Sequence, residues 1–247
     1  MTSWAVERYG AVTVLAFSRP PSNLVDFASM IELGDLLEGF AARNDRINVV
    51  TLTSATDDVF MDHAELSDLA RAGEGRVTPQ EADAWPRALR LLEEIPQPTI
   101  AAIDGLASGG GHELALCCTL RVASKRARFR QPEVAVGLIP GRGGSVRLPR
   151  LVGTGVAAEA LLTGRTFDVD EALRAGWINA VLPADGFGRL ARNWAAAVAR
   201  HPAPALVAAK KSIVAGSRLA FGDALTLEQR LFTELAATSP GVYAADS

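Results

Sequence analysis

Between Thr99 and Leu120 the chain passes from a short apolar run, Thr99 to Ile103, through Ser108-Gly109-Gly110-Gly111-His112-Glu113 into a second apolar stretch, Leu114 to Leu120. A buried strand, a Gly-rich turn and a helix in that order constrain the fold more than any other feature. They place Gly110 and Gly111 at a helix N-terminus, where free N–H groups and the helix dipole both favour negative charge. Glu113 lies just inside that helix, and a second acid follows in Phe129-Arg130-Gln131-Pro132-Glu133. Paired carboxylates beside a backbone anion site suggest acid/base chemistry.

The surrounding pattern is α/β. Ala11 to Phe17 reads as a strand, ended by the turn Arg19-Pro20-Pro21-Ser22-Asn23. Met30 to Arg43 carries apolar residues at helical spacing, and Ile47 to Thr53 is rich in β-branched residues, as suits a buried strand. Arg71 to Pro79 combines glycines, a proline and charges, and is expected to be a mobile surface loop, its part from Gly73 to Pro79 able to act as a lid. A helix from Glu81 to Glu94 is stopped by Pro96 and Pro98. Short strands are expected at Arg121 to Ser124 and Arg126 to Phe129. From about Asp168 the pattern turns mainly helical, with a short strand around Asn179 to Leu182 and three helices between Gly186 and Ala236.

Composition excludes several classes. A net charge of −3 with scattered basic residues offers no concentrated face for nucleic acid, so small molecules or copies of itself are the expected partners. Cys117 and Cys118 are adjacent, which suits buried thiols in a reducing compartment better than a disulfide or a metal site. Met1 to Gly10 lacks the features of a secretion signal, and no apolar run reaches the roughly 18 residues of a membrane span. The expected location is cytoplasmic. The glycines match neither a Walker loop nor a GxGxxG fingerprint, and Ser108 lacks a nucleophile elbow. The histidines, His63, His112 and His201, are too dispersed to suggest a metal site.

Three segments then stand in one order: Phe60-Met61-Asp62-His63-Ala64-Glu65-Leu66, Ala102 to Leu114, and Gln131-Pro132-Glu133-Val134-Ala135-Val136-Gly137-Leu138-Ile139-Pro140-Gly141-Arg142-Gly143-Gly144. Together they resemble the enoyl-CoA hydratase/isomerase, or crotonase, family, over about Val6 to Glu234. The resemblance implies a crotonase (ClpP-like) spiral of ββα repeats over residues 1–185 and a C-terminal helical trimerisation region over 186–247, with trimers that commonly pair into hexamers. It implies an oxyanion hole from the Ala64 and Gly110 N–H groups. It also implies two catalytic acids, Glu113 helping to activate water and Glu133 delivering a proton to the α-carbon of a 2-enoyl-CoA. His63, Glu65, Leu66, Gly109 and Gly141 are the positions where it implies contact with substrate. No metal or separate cofactor is expected, coenzyme A arriving as part of the substrate.

The match has departures. His63 and Arg130 stand where the family usually has glycine, and a Cβ at position 63 is expected to disturb the Ala64 N–H. Arg19 is a candidate contact for CoA phosphates. Pro240 and Gly241 are expected to break a continuing helix, removing part of the usual CoA clamp. Hydration is the leading reading because both acids are present. The alternatives are another family reaction on an acyl-CoA, such as 3,2-enoyl-CoA isomerisation or a tailoring step of secondary metabolism, and a non-catalytic binding member.

Overall fold

The structure, a computed structural model, describes residues 2–42 and 47–238. It opens with a hairpin of β1 (Trp4–Tyr9) and β2 (Val12–Phe17). β1 goes unsignalled in the sequence because only Trp4 is buried, leaving no alternation to read. α1 (Phe27–Ala42) begins before the expected Met30, at a reciprocal turn in which Ser29 N donates to Asp26 Oδ1 at 2.8 Å and Asp26 N to Ser29 Oγ at 3.1 Å. The expected end of this helix at Arg43 lies outside the described residues.

A strand–strand–helix unit then recurs. The first comprises β3 (Val49–Ser54), β4 (Val59–Met61), α2 (Leu66–Gly73) and α3 (Pro79–Glu94). The second is β5 (Thr99–Ile103), β6 (Leu106–Ser108) and α4 (Gly109–Cys117). The third is β7 (Leu120–Ser124), β8 (Arg128–Arg130), a 3-10 turn at Glu133–Val136, α5 (Gly144–Val152) and α6 (Thr154–Thr163). After β9 (Phe167–Asp168), α7 (Val169–Arg174) and β10 (Ala180–Leu182), the chain ends in α8 (Phe187–Ala199), α9 (Ala203–Gly216) and α10 (Phe221–Thr238).

The first strand of each unit joins a six-stranded sheet in the order β1-β2-β3-β5-β7-β10, parallel from β2 onward. The second joins a four-stranded sheet, β4-β6-β8-β9, antiparallel only at β9. This is the α/β spiral of ββα repeats that the resemblance implied. Parallel strands must be covered on both faces. One face of the large sheet packs under α1 and α3 through Leu33, Leu37, Ala88 and Leu92. The other packs against Phe187, Ala191, Ala195 and Ala199 of α8, which follows Pro183-Ala184-Asp185.

Two expectations need correction. Arg71 to Pro79 is not one loop: α2 runs through Gly73 and Pro79 opens α3. One distant and two nearer partners hold these ends. Asp68 Oδ2 accepts Phe27 N at 2.8 Å, Arg71 pairs with Glu81 at 2.5 Å, and Thr78 and Glu81 cap α3 reciprocally. Helices also begin before Asp168, at α5 and α6. Each buries only two residues, Gly144 and Leu148 in one and Ala157 and Ala160 in the other, too sparse an apolar stripe to announce a helix.

Register positions the site. Met61 pairs with Ala107, and Ser108 with Arg130, so β4, β6 and β8 end side by side. Residues 62–64, 109–110 and 131–133, from three units, therefore emerge at one edge, the carboxyl ends of parallel strands.

Candidate active site

The turn after β4 is held by every backbone group but one. His63 N donates to Asp62 Oδ1 at 2.8 Å, Val25 N to His63 O at 3.2 Å and Glu65 N to Val25 O at 2.9 Å. Among the described residues no acceptor takes the Ala64 N–H. Gly111 N donates to Asp62 O at 2.9 Å, fastening this turn to the start of α4, where the Gly110 N–H is likewise without an acceptor. Glycine is required here. A Cβ on Gly110 would lie 2.8 Å from Trp85 Cη2 and 3.3 Å from Ala64 N, and one on Gly111 would lie 2.3 Å from Met61 O. Two N–H donors without an acceptor among the described residues thus lie close together beside Trp85.

His63 does not consume the Ala64 N–H. Its Nδ1 lies 2.8 Å from Ala64 O, and its Cβ packs against Gly109. Glu65 precedes α2, whose first residue, Leu66, is 60% exposed. Gly141 is exposed, immediately before Arg142.

Glu113 lies three residues beyond Gly110 and shares its helix face. It is 2% exposed, and its Oε1 accepts Arg142 N at 2.7 Å and Gly144 N at 2.8 Å. Arg147 steadies that loop, donating from Nη1 to Arg142 O at 2.9 Å and pairing through Nε with Glu93 at 2.6 Å. Burial outweighs the two backbone bonds and, with a smaller push from the Glu133 charge, lifts the Glu113 carboxyl to about 7. Burial also raises Glu133, opposed by its backbone bond and by the nearby His63 and Arg130.

Glu133 is approached by a chain of donors. One orientation of the Gln131 amide satisfies both its neighbours: nitrogen donates to Glu133 Oε1 at 3.0 Å and Oε2 at 3.2 Å, and oxygen accepts from His112 Nδ1 at 2.9 Å. Trp177 Nε1 donates to His112 Nε2 at 2.6 Å. Burial drives His112 down to about 3, so the ring is neutral, and the Trp177 bond leaves its proton on Nδ1. Trp177, His112 and Gln131 were not selected as functional positions in the sequence. A hint was available, since a polar residue stands next to Glu113 and another two before Glu133, but Trp177 joins only through the fold. His112→Leu would leave Trp177 Nε1 and the Gln131 oxygen buried without partners. It is expected to lower stability by about 1–3 kcal/mol and kcat about tenfold with KM less changed. Urea denaturation and steady-state kinetics read the two effects.

Arg19, the candidate CoA contact, is engaged with Asp26 at 3.1 Å and with Leu24 O at 2.8 Å. The helix break expected at Pro240 and Gly241 lies outside the described residues. Among those residues no helix is long and apolar enough to cross a membrane.

Residues 7–244 match the sequence profile of the enoyl-CoA hydratase/isomerase family. The chain belongs to that family. Similar members include the short-chain-enoyl-CoA hydratase of Clostridium acetobutylicum, 34% identical over 236 residues that cover 94% of this chain and 89% of the relative. The 2,3-dehydroadipyl-CoA hydratase of Escherichia coli is 35% identical over 239 residues, covering 96% and 92%. Among solved structures, the enoyl-CoA hydratase from Bacillus anthracis superposes with a TM-score of 0.86 at 30% identity, covering 94% of this chain and 90% of that one. Family membership therefore agrees with the spiral of ββα repeats.

Proposed function

We propose that this family member is an enoyl-CoA hydratase, a lyase adding water across the 2,3 double bond of a 2-enoyl-CoA thioester. One observation carries the reading: two raised-pKa glutamates from successive repeats converge beside two unused backbone donors. Ala64 N–H and Gly110 N–H bind the thioester oxygen and stabilise the enolate as it forms, each donor lowering the barrier by about 3–4 kcal/mol. Glu113, as carboxylate, takes a proton from water whose oxygen bonds to the β-carbon. Glu133 gives its proton to the α-carbon, and return of one proton from Glu113 to Glu133 resets the pair. Close carboxyls retain a shared proton, so one accepts while the other donates.

His63, Glu65, Leu66, Gly109 and Gly141 border the path of the acyl-CoA in this reading. The reaction is redox-neutral and uses no cofactor beyond the CoA of the substrate. Isomerisation on the same scaffold needs only one of the acids, and the presence of both favours hydration. Exposed Phe221, Leu225 and Phe232 on α10 support self-association as a homotrimer or a dimer of trimers. The buried free thiols of Cys117 and Cys118 support a cytoplasmic setting.

The test is the loss of enoyl-thioester absorbance when the protein meets crotonyl-CoA, with Glu133→Gln as control. Rapid loss that vanishes in the variant is expected. Binding of the thioester without turnover would instead support a different family reaction or a non-catalytic member.

A further inference from the structure

Several basic side chains approach the acid pair. His63 is engaged with Ala64 O, and Arg130 Nε donates to Ser108 Oγ at 3.2 Å. Arg147 is paired with Glu93. Arg142 differs: among the described residues its guanidinium has neither a hydrogen-bond acceptor nor an ion-pair partner, only its backbone N–H being committed to Glu113. The guanidinium carbon lies 5.7 Å from the centre of the Trp85 ring. That ring is fully buried, and its far edge abuts Gly110. Half-buried, the cation loses hydration, which lowers its pKa, and the Glu113 charge only partly offsets the cost. A guanidinium serving only as a counter-ion for Glu113 would bond to it, yet Glu113 Oε1 takes two backbone donors instead.

With the thioester oxygen at Ala64 and Gly110 and the β-carbon at Glu113, the acyl chain continues past Glu113. Beside Glu113 lie the loop that pins it and the Arg142 guanidinium over the Trp85 ring. We propose that Arg142 is a specificity-determining residue that receives a carboxylate at the far end of the acyl chain, so that the preferred substrates are 2-enoyl-CoA thioesters of dicarboxylic acids. The enoyl half of this statement rests on the hydratase reading; the carboxylate half rests on Arg142. A planar guanidinium presents the paired donors that a carboxylate accepts, and Trp85 holds the cation without neutralising it.

Non-reacting thioesters separate the two halves. Dissociation constants of hexanoyl-CoA and hexanedioyl-CoA, equal in chain length and differing in the terminal carboxylate, are measured for the native protein, Arg142→Met and Arg142→Lys. The native protein is expected to bind the dicarboxylic probe at least about tenfold tighter, the lysine variant to keep part of that ratio, and the methionine variant to bring it near one. Because the backbone N–H of residue 142 is kept, Glu113 remains anchored in both variants. Equal binding of the two probes by the native protein, or an unchanged ratio in Arg142→Met, would overturn the assignment. Hydration of 2-hexenoyl-CoA and 2-hexenedioyl-CoA is then compared. If neither is hydrated while the binding ratio holds, the hydratase reading fails and the role of Arg142 stands.

Discussion

Glu113→Gln is expected to lower kcat for hydration about a thousandfold, the range that loss of a general base commands, while making the protein more stable above neutral pH. The glutamine oxygen can still accept Arg142 N and Gly144 N, so the geometry persists, and thioester binding is expected to stay within a few-fold. What disappears is the oxygen that takes the proton from water. The stability gain follows from the raised carboxyl. Folded Glu113 titrates at about 7 against 4.5 for an ordinary glutamate, so the folded state holds this proton more tightly. The resulting stabilisation is complete below 4.5 and is lost as pH rises through 7, a change of about 3 kcal/mol. Glutamine does not titrate. The stability of the variant relative to the native protein should therefore rise by about that amount between pH 4.5 and pH 8. Urea denaturation at the two pH values, beside initial rates, reads both effects. Near-normal turnover would remove Glu113 from the mechanism, and a pH-independent difference would contradict its raised pKa.

Gly110→Ala is expected to lower kcat/KM by about a hundred- to a thousandfold, the loss associated with an oxyanion donor. Its Cβ would press on Trp85 Cη2 at 2.8 Å and stand 3.3 Å from Ala64 N, crowding one of the two proposed donors. Trp85 is packed in the core, so a stability cost of about 1–3 kcal/mol accompanies the kinetic loss. Adding Trp85→Phe separates the causes. The smaller ring relieves the clash and should restore part of the stability, but the methyl group still crowds Ala64 N and the rate should stay low. Full kinetic recovery in the double variant would show that the thioester oxygen does not bind between these donors.

Much of this protein was legible in the chain. The strand, glycine run and helix around Thr99 to Cys117 are local, because backbone preference and apolar spacing act between near neighbours. Glu113 and Glu133 stood out as a pair of carboxylates, and Ala64 and Gly110 were singled out through the family resemblance. The helix from Glu81 to Glu94 was legible, whereas α2 was read in part as loop: its eight residues are anchored by Asp68 accepting from Phe27, 41 positions away, a contact that no local window contains.

What the sequence by itself determined was the kind of element at the strongly patterned segments, such as Thr99 to Cys117, and which side chains could carry acid/base chemistry. Only the tertiary structure decided which of those chemistries meet. Strand register places residues 62–64, 109–113 and 131–133 at one edge, and the loop before α5 sets the protonation range of Glu113 by burying it against two N–H groups. The fold joins Trp177 to His112 across 65 positions and leaves the Arg142 guanidinium beside Trp85 with no hydrogen-bond acceptor among the described residues. The reason is physical: periodicity and turn preference are short-range, whereas desolvation and hydrogen-bond partnership depend on atoms that only the folded sheets bring together.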